Sequence, residues 1–302
     1  MGNLPFVSVC IITYNHDQFI AEAIGSILMQ EADFDFELVI SDDASSDNTE
    51  SVVREFIENH PKGHLIKYTR HHKNLGMSLN FQWALNECKG KFIALCEGDD
   101  YWIDSNKIKE QVEFLDANDE YVLLADNSIY NHVSKDKKWD FSNKPERDIV
   151  LMELLEERQF ATASVLFRNS EDLKLNLSKI LGDTVLWVFL SKLGKIRFRT
   201  KLTSVYRRHE SGAVLNTERI EWAKTMEQWN LKIREIAPEV PSTIFEKRNI
   251  SQFKGASENY LKSGNFSGYL NSLSFIFKID KKEGIVLVKN HFLTFLKHML
   301  KY

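Results

Sequence analysis

KFIALCEGDDYW, Lys91–Trp102, is the stretch on which the reading of the chain turns. An apolar run, Phe92–Cys96, follows Gly90 and stops at Glu97, Gly98, Asp99 and Asp100, with Tyr101 and Trp102 directly after. A short apolar run bounded by a glycine reads as a buried strand. Glu97, Asp99 and Asp100 set three carboxylates within four residues. Charges that close repel unless a cation or hydrogen-bond donors lie between them. Hard oxygen ligands of this kind suit Mg2+ or Mn2+ and not zinc. A solvated acidic loop is the general alternative for such a triplet. The apolar strand before it and the aromatic pair after it weigh the other way.

Upstream, strand and helix patterns alternate. Val7–Ile12 reads as a strand ending in Thr13, Tyr14 and Asn15, and Phe19, Ile20, Ala23, Ile24, Ile27 and Leu28 share one helix face after it. Phe36–Ile40 is a second strand, ending in Ser41, Asp42 and Asp43, and Asn48 stands where it can cap the next helix. His64–Thr69 reads as a third strand, His71–Gly76 as a polar loop and Met77–Cys88 as a helix. Downstream of the acidic stretch come a helix over Lys107–Ala117 and strands at Tyr121–Ala125 and Ala163–Phe167, with Asn131–Asp148 a polar loop.

This order predicts an α/β fold, a Rossmann-like, mostly parallel sheet flanked by helices. Such sheets bind ligands at the carboxyl ends of their strands. Three polar clusters fall at such ends: Thr13-Tyr14-Asn15, Asp42-Asp43, and Glu97 to Asp100. Neither G-x-G-x-x-G after the first strand nor G-x-x-x-x-G-K-[ST] is present, so neither a dinucleotide fold nor a P-loop is supported. Beyond about Gly212 the alternation gives way to helices, which sets an α/β domain over 1–212 and a helical region over 213–302.

The bulk composition, 43% hydrophobic and 27% charged, is that of an ordinary globular protein, and a net charge of −4 argues against nucleic acid as a partner. Cys10 and Cys96 lie in strand-like runs, and no C-x-x-C pair suggests zinc. Buried, reduced thiols fit a cytoplasmic protein. The N-terminus reads as a first strand and not a signal peptide, and no apolar run is long enough to span a membrane.

VSVCIITYN at 7–15, SDDASSDNT at 41–49, HKNLGMSLN at 72–80 and GKFIALCEGDDYW at 90–102 together resemble the family 2 glycosyltransferases, inverting nucleotide-sugar enzymes of the GT-A fold. GDTVLW at 182–187 and VYRRH at 205–209 are similar to the family's acceptor-side elements. The resemblance implies a nucleotide-binding set of Thr13, Tyr14, Asn15, Asp43, Asn74, Gly76 and Asp99. It implies a divalent metal, Mn2+ or Mg2+, held among Asp100, Asp99, Glu97 and His209, with Arg207 and Arg208 on the diphosphate. Glu97 departs from the Asp that opens the family's D-x-D motif.

The family keeps its general base at the G-D that here is Gly182-Asp183; on the residues alone Asp183 reads equally as a helix N-cap. His209 read alone is a solvated surface residue, and Trp102 and Trp187 are either sugar-stacking or core.

The expected function is a metal-dependent inverting transfer of a sugar, from a UDP-sugar first of all, to a hydroxyl of a carbohydrate or lipid-linked saccharide in cell-surface polysaccharide or glycolipid synthesis. A catalytically inactive GT-A domain serving as a carbohydrate-binding or assembly subunit is the alternative, and Glu97 favours it. A nucleotidyltransferase is a third class, disfavoured because no Gly-rich basic loop follows the first strand. At the C-terminus, Ile285, Val288, Phe292, Phe295, Leu296 and Met299 share a helix face, with Lys289, Lys297 and Lys301 among the other positions. Six Lys against Asp280 and Glu283 give Lys278–Tyr302 a net charge of +4. Such a helix fits peripheral contact with the inner face of a membrane, or packing in a homo-oligomer.

Overall fold

The computed structural model describes residues 4–210, 212 and 218–299, with side chains described through residue 292. The chain divides into two units, Met1–Glu210 and Ser211–Tyr302.

The first unit is α/β. Its sheet joins β1 (Val7–Thr13), β2 (Phe36–Asp42), β3 (Ile66–Arg70), β4 (Phe92–Glu97), β5 (Tyr101–Trp102), β6 (Tyr121–His132), β7 (Lys137–Asp140), β8 (Arg147–Ile149), β9 (Val165–Arg168) and β10 (Lys195–Arg208). The order is β3-β2-β1-β4-β9-β6-β10-β5, with β7 paired to β6 and β8 to β10. β1, β2, β3 and β4 pair in parallel, as do β6 and β10, while β9 runs antiparallel between β4 and β6. The carboxyl ends of β2, β1 and β4 are therefore neighbours, which brings the three polar clusters onto one rim.

Apolar strand residues drive this arrangement. Val7, Val9, Ile11, Leu38, Ile40, Phe92 and Ala94 are fully buried, and α1 (Ile20–Leu28) lays Ile20, Ala23, Ile24 and Ile27 against the same core. Each such aliphatic side chain contributes about 1.5–3 kcal/mol on burial. A Cβ on Gly90 would lie 2.5 Å from the Ser8 nitrogen, so only glycine lets the chain enter β4 against β1.

Several boundaries differ from the sequence reading. β2 continues through Asp42, and β3 starts at Ile66 after a short turn at Gly63–Leu65. Asn48 makes no capping bond to α2 (Thr49–Asn59); Asp47 does so instead, accepting from the Thr49 N–H at 3.0 Å. The expected loop at 131–148 is a hairpin: β6 runs on to His132, Asp136 turns the chain at φ 49°, and β7 returns with Trp139 stacked on Tyr130. β10 was not foreseen at all. Further helices are α3 (Met77–Glu87), α4 (Lys107–Ala117), α5 (Leu151–Glu156), α6 (Glu171–Asn176) and α7 (Asp183–Ser191).

The second unit holds α8 (Arg219–Ile236), α9 (Ser242–Lys262), α10 (Phe266–Ile279) and α11 (Lys281–Met299) around Ile220, Phe253, Ala256, Leu273 and Ile276. Ile285, Val288 and Phe292 are exposed on α11. The side chains of Phe295, Leu296, Lys297 and Met299, and all of Lys301, lie outside the described residues. Among the described residues no helix is long and apolar enough to cross a membrane.

Candidate active site

The rim begins where β1 and β2 end. Asp42 is fully buried, its Oδ1 accepting from the Ser45 N–H at 2.8 Å and its Oδ2 from the Tyr68 hydroxyl at 2.6 Å. Asp43, also buried, accepts the N–H groups of Leu75 at 2.6 Å and Gly76 at 3.0 Å, one on each carboxylate oxygen. Asn74 donates its side-chain amide to the Asp43 carbonyl at 3.2 Å and accepts the Gly76 N–H at 3.0 Å. Gly76 has φ +83°, a conformation that favours glycine and lets both N–H groups turn toward Asp43. Asn15, left-handed at φ 55°, ties the two loops: its N–H donates to Ser45 Oγ at 2.9 Å and its Oδ1 accepts the Ser46 N–H at 2.8 Å. Tyr14 beside it is 47% exposed. Thus Thr13, Asn15, Asp43, Asn74 and Gly76 converge, with the Tyr14 ring open to solvent.

Past β4, the acids take three different environments. Asp99 Oδ2 lies 3.0 Å from His209 Nε2 and 3.8 Å from His16 Nε2. Burial pushes the Asp99 carboxyl up, but His16 and His209 outweigh it and hold its pKa below the usual value. Asp100 turns inward, 1% exposed, with Oδ1 accepting the Arg207 N–H at 2.8 Å and Oδ2 without a partner. Burial, then Asp99 and Glu97, push its pKa well above the usual carboxylate value. Glu97 has an unpartnered buried Oε2, and burial with the nearby Asp99 charge raises its pKa to about 7. Burial lowers the pKa of His16. Its Nδ1 and the Thr13 hydroxyl are also buried without partners, and both crowd the place where a Cβ on Gly98 would sit, at 2.9 and 2.7 Å.

Arg207 and Arg208 diverge. Arg207 is buried between the rings of Tyr101 and Phe19, donates to the Asp99 carbonyl at 2.5 Å and pairs with Glu22 at 2.8 Å. Its Nη2 alone has no partner. Strand alternation sends Arg208 to the other face of β10.

Asp183 opens α7 as its first residue, Gly182 taking the cap position. Its Oδ1 accepts the Thr184 N–H at 2.5 Å, and its Oδ2 lies 3.4 Å from the Thr162 hydroxyl and 3.5 Å from Arg158. The side chain remains 24% exposed, so one flank faces the cleft. The charges of Asp99, Arg158 and Asp183 all reach Glu97, which lines a small cavity together with Thr162. Trp102 and Trp187, 2% and 6% exposed, are core: Trp102 donates its indole N–H to the Ala163 carbonyl at 2.8 Å, and Trp187 packs on Phe160 and Phe167.

His16 and Arg158 belong to this site and were not singled out in the sequence. His16 follows the Tyr14-Asn15 pair directly, a signal that a search of strand ends one residue longer finds. Arg158 follows two glutamates, and nothing in that charged run marks it apart from surface residues.

A family model described as Glycosyl transferase family 2 matches residues 8–181. An uncharacterized protein of Mycobacterium tuberculosis H37Rv is 32% identical over 211 residues, 68% of this chain and 60% of that protein. The chain thus spans less than two thirds of that relative. The UDP-Glc:alpha-D-GlcNAc-diphosphoundecaprenol beta-1,3-glucosyltransferase WfgD of Escherichia coli is 32% identical over 128 residues, 42% of this chain and 48% of the relative. Among solved structures, residues 1–349 of S. aureus TarS in complex with UDP-GlcNAc match with TM-score 0.66 at 17% identity, over 93% of this chain and 83% of that one. The mannosyltransferase PcManGT from Pyrobaculum calidifontis, in complex with GDP-Man and Mn2+, matches with TM-score 0.54 at 17% identity, over 96% and 88%. At such identities the structural likeness is one of fold, the GT-A fold.

Proposed function

The chain belongs to glycosyl transferase family 2, and we propose that it is a metal-dependent, inverting glycosyltransferase. In this reading a sugar passes from a nucleoside diphosphate, UDP in the first instance, to a hydroxyl of a carbohydrate or lipid-linked saccharide. One observation supports it: the Thr162 hydroxyl contacts Asp183 Oδ2 at 3.4 Å and Thr162 lines one small cavity with Glu97, which also feels the Asp99 charge, so a candidate metal group and a candidate base lie near one another.

Asp43 uses one acceptor position on each oxygen for Leu75 and Gly76, and a carboxylate has about four. The remainder suits the N3–H of uracil, which thymine also offers, with the exposed Tyr14 ring beside it. For the divalent ion the donors fit. Asp99 and His209 combine oxygen and imidazole ligands that suit Mn2+, and Glu97 Oε2 is a buried acceptor without a partner. Among the described residues no three such side chains form a ready cage. In this reading phosphate oxygens of the donor would complete the coordination. When bound, the ion supplies Lewis-acid stabilisation of the departing diphosphate. Asp100, 1% exposed, gives Oδ1 to the Arg207 N–H and keeps a buried Oδ2 without a partner; in this reading it turns inward and shapes the loop, and Arg207 braces it against Glu22.

Asp183 is the base. The acceptor oxygen attacks the anomeric carbon, the bond from that carbon to the phosphate oxygen breaks, and the hydroxyl proton passes to the Asp183 carboxylate. Arg158 and Thr162 hold Oδ2, and the Thr184 N–H holds Oδ1, so the carboxylate is oriented before the acceptor arrives.

Glu97 in place of Asp favours the second reading, an inactive domain that binds carbohydrate. The relatives' names support a setting in polysaccharide or glycolipid assembly, including a putative teichuronic acid biosynthesis glycosyltransferase of Bacillus subtilis, 28% identical over 111 residues. The exposed Ile285, Val288 and Phe292 on a lysine-rich helix support peripheral membrane docking or pairing with a second copy. A panel of nucleotide sugars with Mn2+ tests the main reading. Release of nucleoside diphosphate from one donor, lost in Asp99→Asn, is expected; no turnover of any donor, alongside saccharide binding, assigns the inactive domain.

A further inference from the structure

Strand register lays two rows of side chains on one face near the end of β6. β10 pairs with β6 in parallel, with Tyr206 opposite Tyr130 and Arg208 opposite His132. β7 pairs with β6 antiparallel, with Trp139 opposite Tyr130 and Lys137 opposite His132. Paired residues share a face, and so do residues two apart on one strand. The first row is therefore Tyr206, Tyr130 and Trp139; the second is Arg208, His132 and Lys137.

The aromatic row is in contact along its length. Tyr206 and Tyr130 have ring centroids 5.4 Å apart, and Tyr130 and Trp139 stack at 4.4 Å and 17°. Trp139 is 48% exposed, whereas Trp102 and Trp187 are core. A stacked indole left half in water offers its outer face to a flat apolar surface, and the C–H face of a pyranose is one. The row also connects to the candidate base. Arg158 lies over the Tyr206 ring at 5.1 Å and reaches Asp183 at 3.5 Å. The basic row adds a complement for an oxyanion: a guanidinium fork, an ammonium and an imidazole side by side.

We propose that this face is an acceptor subsite for an anionic saccharide, with a pyranose ring on Trp139 and Tyr130 and its phosphate ester on Arg208, His132 and Lys137. This assigns Arg208 to the acceptor and not to the donor diphosphate. The word acceptor rests on the transferase reading; the binding does not. A uronate would bring the same charge as a carboxylate, but a guanidinium and an ammonium flanking an imidazole match the dianion of a phosphate monoester better.

The test is calorimetry on the full chain without donor or metal, titrating glucose 1-phosphate, glucose and glucuronate. Glucose 1-phosphate is expected to bind at least tenfold tighter than glucose, and more weakly as salt rises. Trp139→Ala is expected to cost at least tenfold, with Trp139→Phe retaining most of the affinity. Arg208→Gln combined with Lys137→Gln is expected to bring glucose 1-phosphate down to the level of glucose; that pair leaves the aromatic packing intact if Trp139→Ala misfolds. Equal binding of glucose and glucose 1-phosphate overturns the inference, as does binding unmoved by these substitutions. Glucuronate binding as tightly as glucose 1-phosphate overturns the phosphate assignment. Displacement of glucose 1-phosphate by saturating UDP with Mn2+ also overturns it, since the probe then sat in the donor site. UDP failing to bind while glucose 1-phosphate binds here removes the donor reading and leaves this one standing.

Discussion

The two sides of the cleft are built from opposite materials. On the β1–β2–β4 side, polar groups are locked into the backbone: Asp42 and Asp43 are buried and accept from Ser45, Tyr68, Leu75 and Gly76, and Asn15 and Asn74 bridge loops. On the β6–β7–β10 side, rings and cations face outward, and the Asp183–Arg158 pair is partly solvated. A side already fixed by internal hydrogen bonds loses little entropy on binding and suits a ligand that never varies. A side of exposed rings and long cationic chains adapts more readily. In the proposed reading the nucleotide takes the first side and the acceptor the second.

The largest effect expected on the first side comes from Asp99→Asn. It keeps size and a contact to His209 but removes charge, and calorimetry with UDP and Mn2+ should show the metal-dependent affinity falling by more than about 10²-fold, beyond the 10–100-fold usual for outer-shell changes. Asp100→Asn should change that affinity by less than about fivefold, a small barrier in free energy; the reverse ranking would return the metal role to Asp100. Next is Asp43→Ala, which strands the Leu75 and Gly76 N–H groups. Urea unfolding should show a loss of about 3 kcal/mol, the scale of two hydrogen bonds to a buried charge. A loss below about 1 kcal/mol would mean that water replaces the carboxylate and that this side is not locked.

A third test concerns the floor between the sides. Lys107 is fully buried, donates to Gln111 Oε1 at 2.8 Å and lies 4.3 Å from the Trp102 ring centroid, and burial lowers its pKa from 10.5 to about 8. Its folded pKa lies below its unfolded one, so the folded state binds fewer protons between those values. Its penalty is full below about pH 8 and is relieved as pH rises toward 10.5. Stability should therefore gain on the order of 2 kcal/mol from pH 8 to pH 10 relative to Lys107→Met, read from urea midpoints. An identical pH dependence in the two proteins would contradict the buried ammonium. A smaller effect than that of Asp99→Asn is expected of Glu97→Asp, which withdraws the carboxylate from Thr162 and Arg158. Transfer should fall roughly tenfold with donor affinity held within about threefold, as expected for a misplaced group that touches both sides.

The first side was legible in its elements, whereas on the second only Asp183 and the run Arg207-Arg208-His209 stood out, through the resemblance. β1, β2 and β4 are buried on both faces and read as continuous apolar runs, and the rule that ligands gather at parallel strand ends led to the clusters at Thr13–Asn15, Asp42-Asp43 and Glu97–Asp100. β10 hides its pattern: Ile196 and Phe198 are buried, but bulges between Phe198, Leu202 and Ser204 shift the alternation, and Arg199 leaves the row to pair with Asp126. The hairpin of Tyr130 and Trp139 has polar residues at most other positions, so its two strands show no apolar run and read as a polar loop. His209 reads as a solvated residue until β10 delivers it to Asp99. The inward turn of Asp100 could not be read either, since two adjacent acids look alike until the backbone points them apart.

The central claim is that Asp183 serves the acceptor side alone. Asp183→Asn keeps the size of the side chain and an oxygen for the Thr184 N–H while removing the proton acceptor. With the preferred nucleotide sugar and acceptor, sugar transfer should fall by roughly 10²–10⁴-fold while the affinity for nucleoside diphosphate with Mn2+ stays within about threefold. Transfer within about threefold of the unaltered chain, or an equal loss in transfer and donor affinity, would contradict the account.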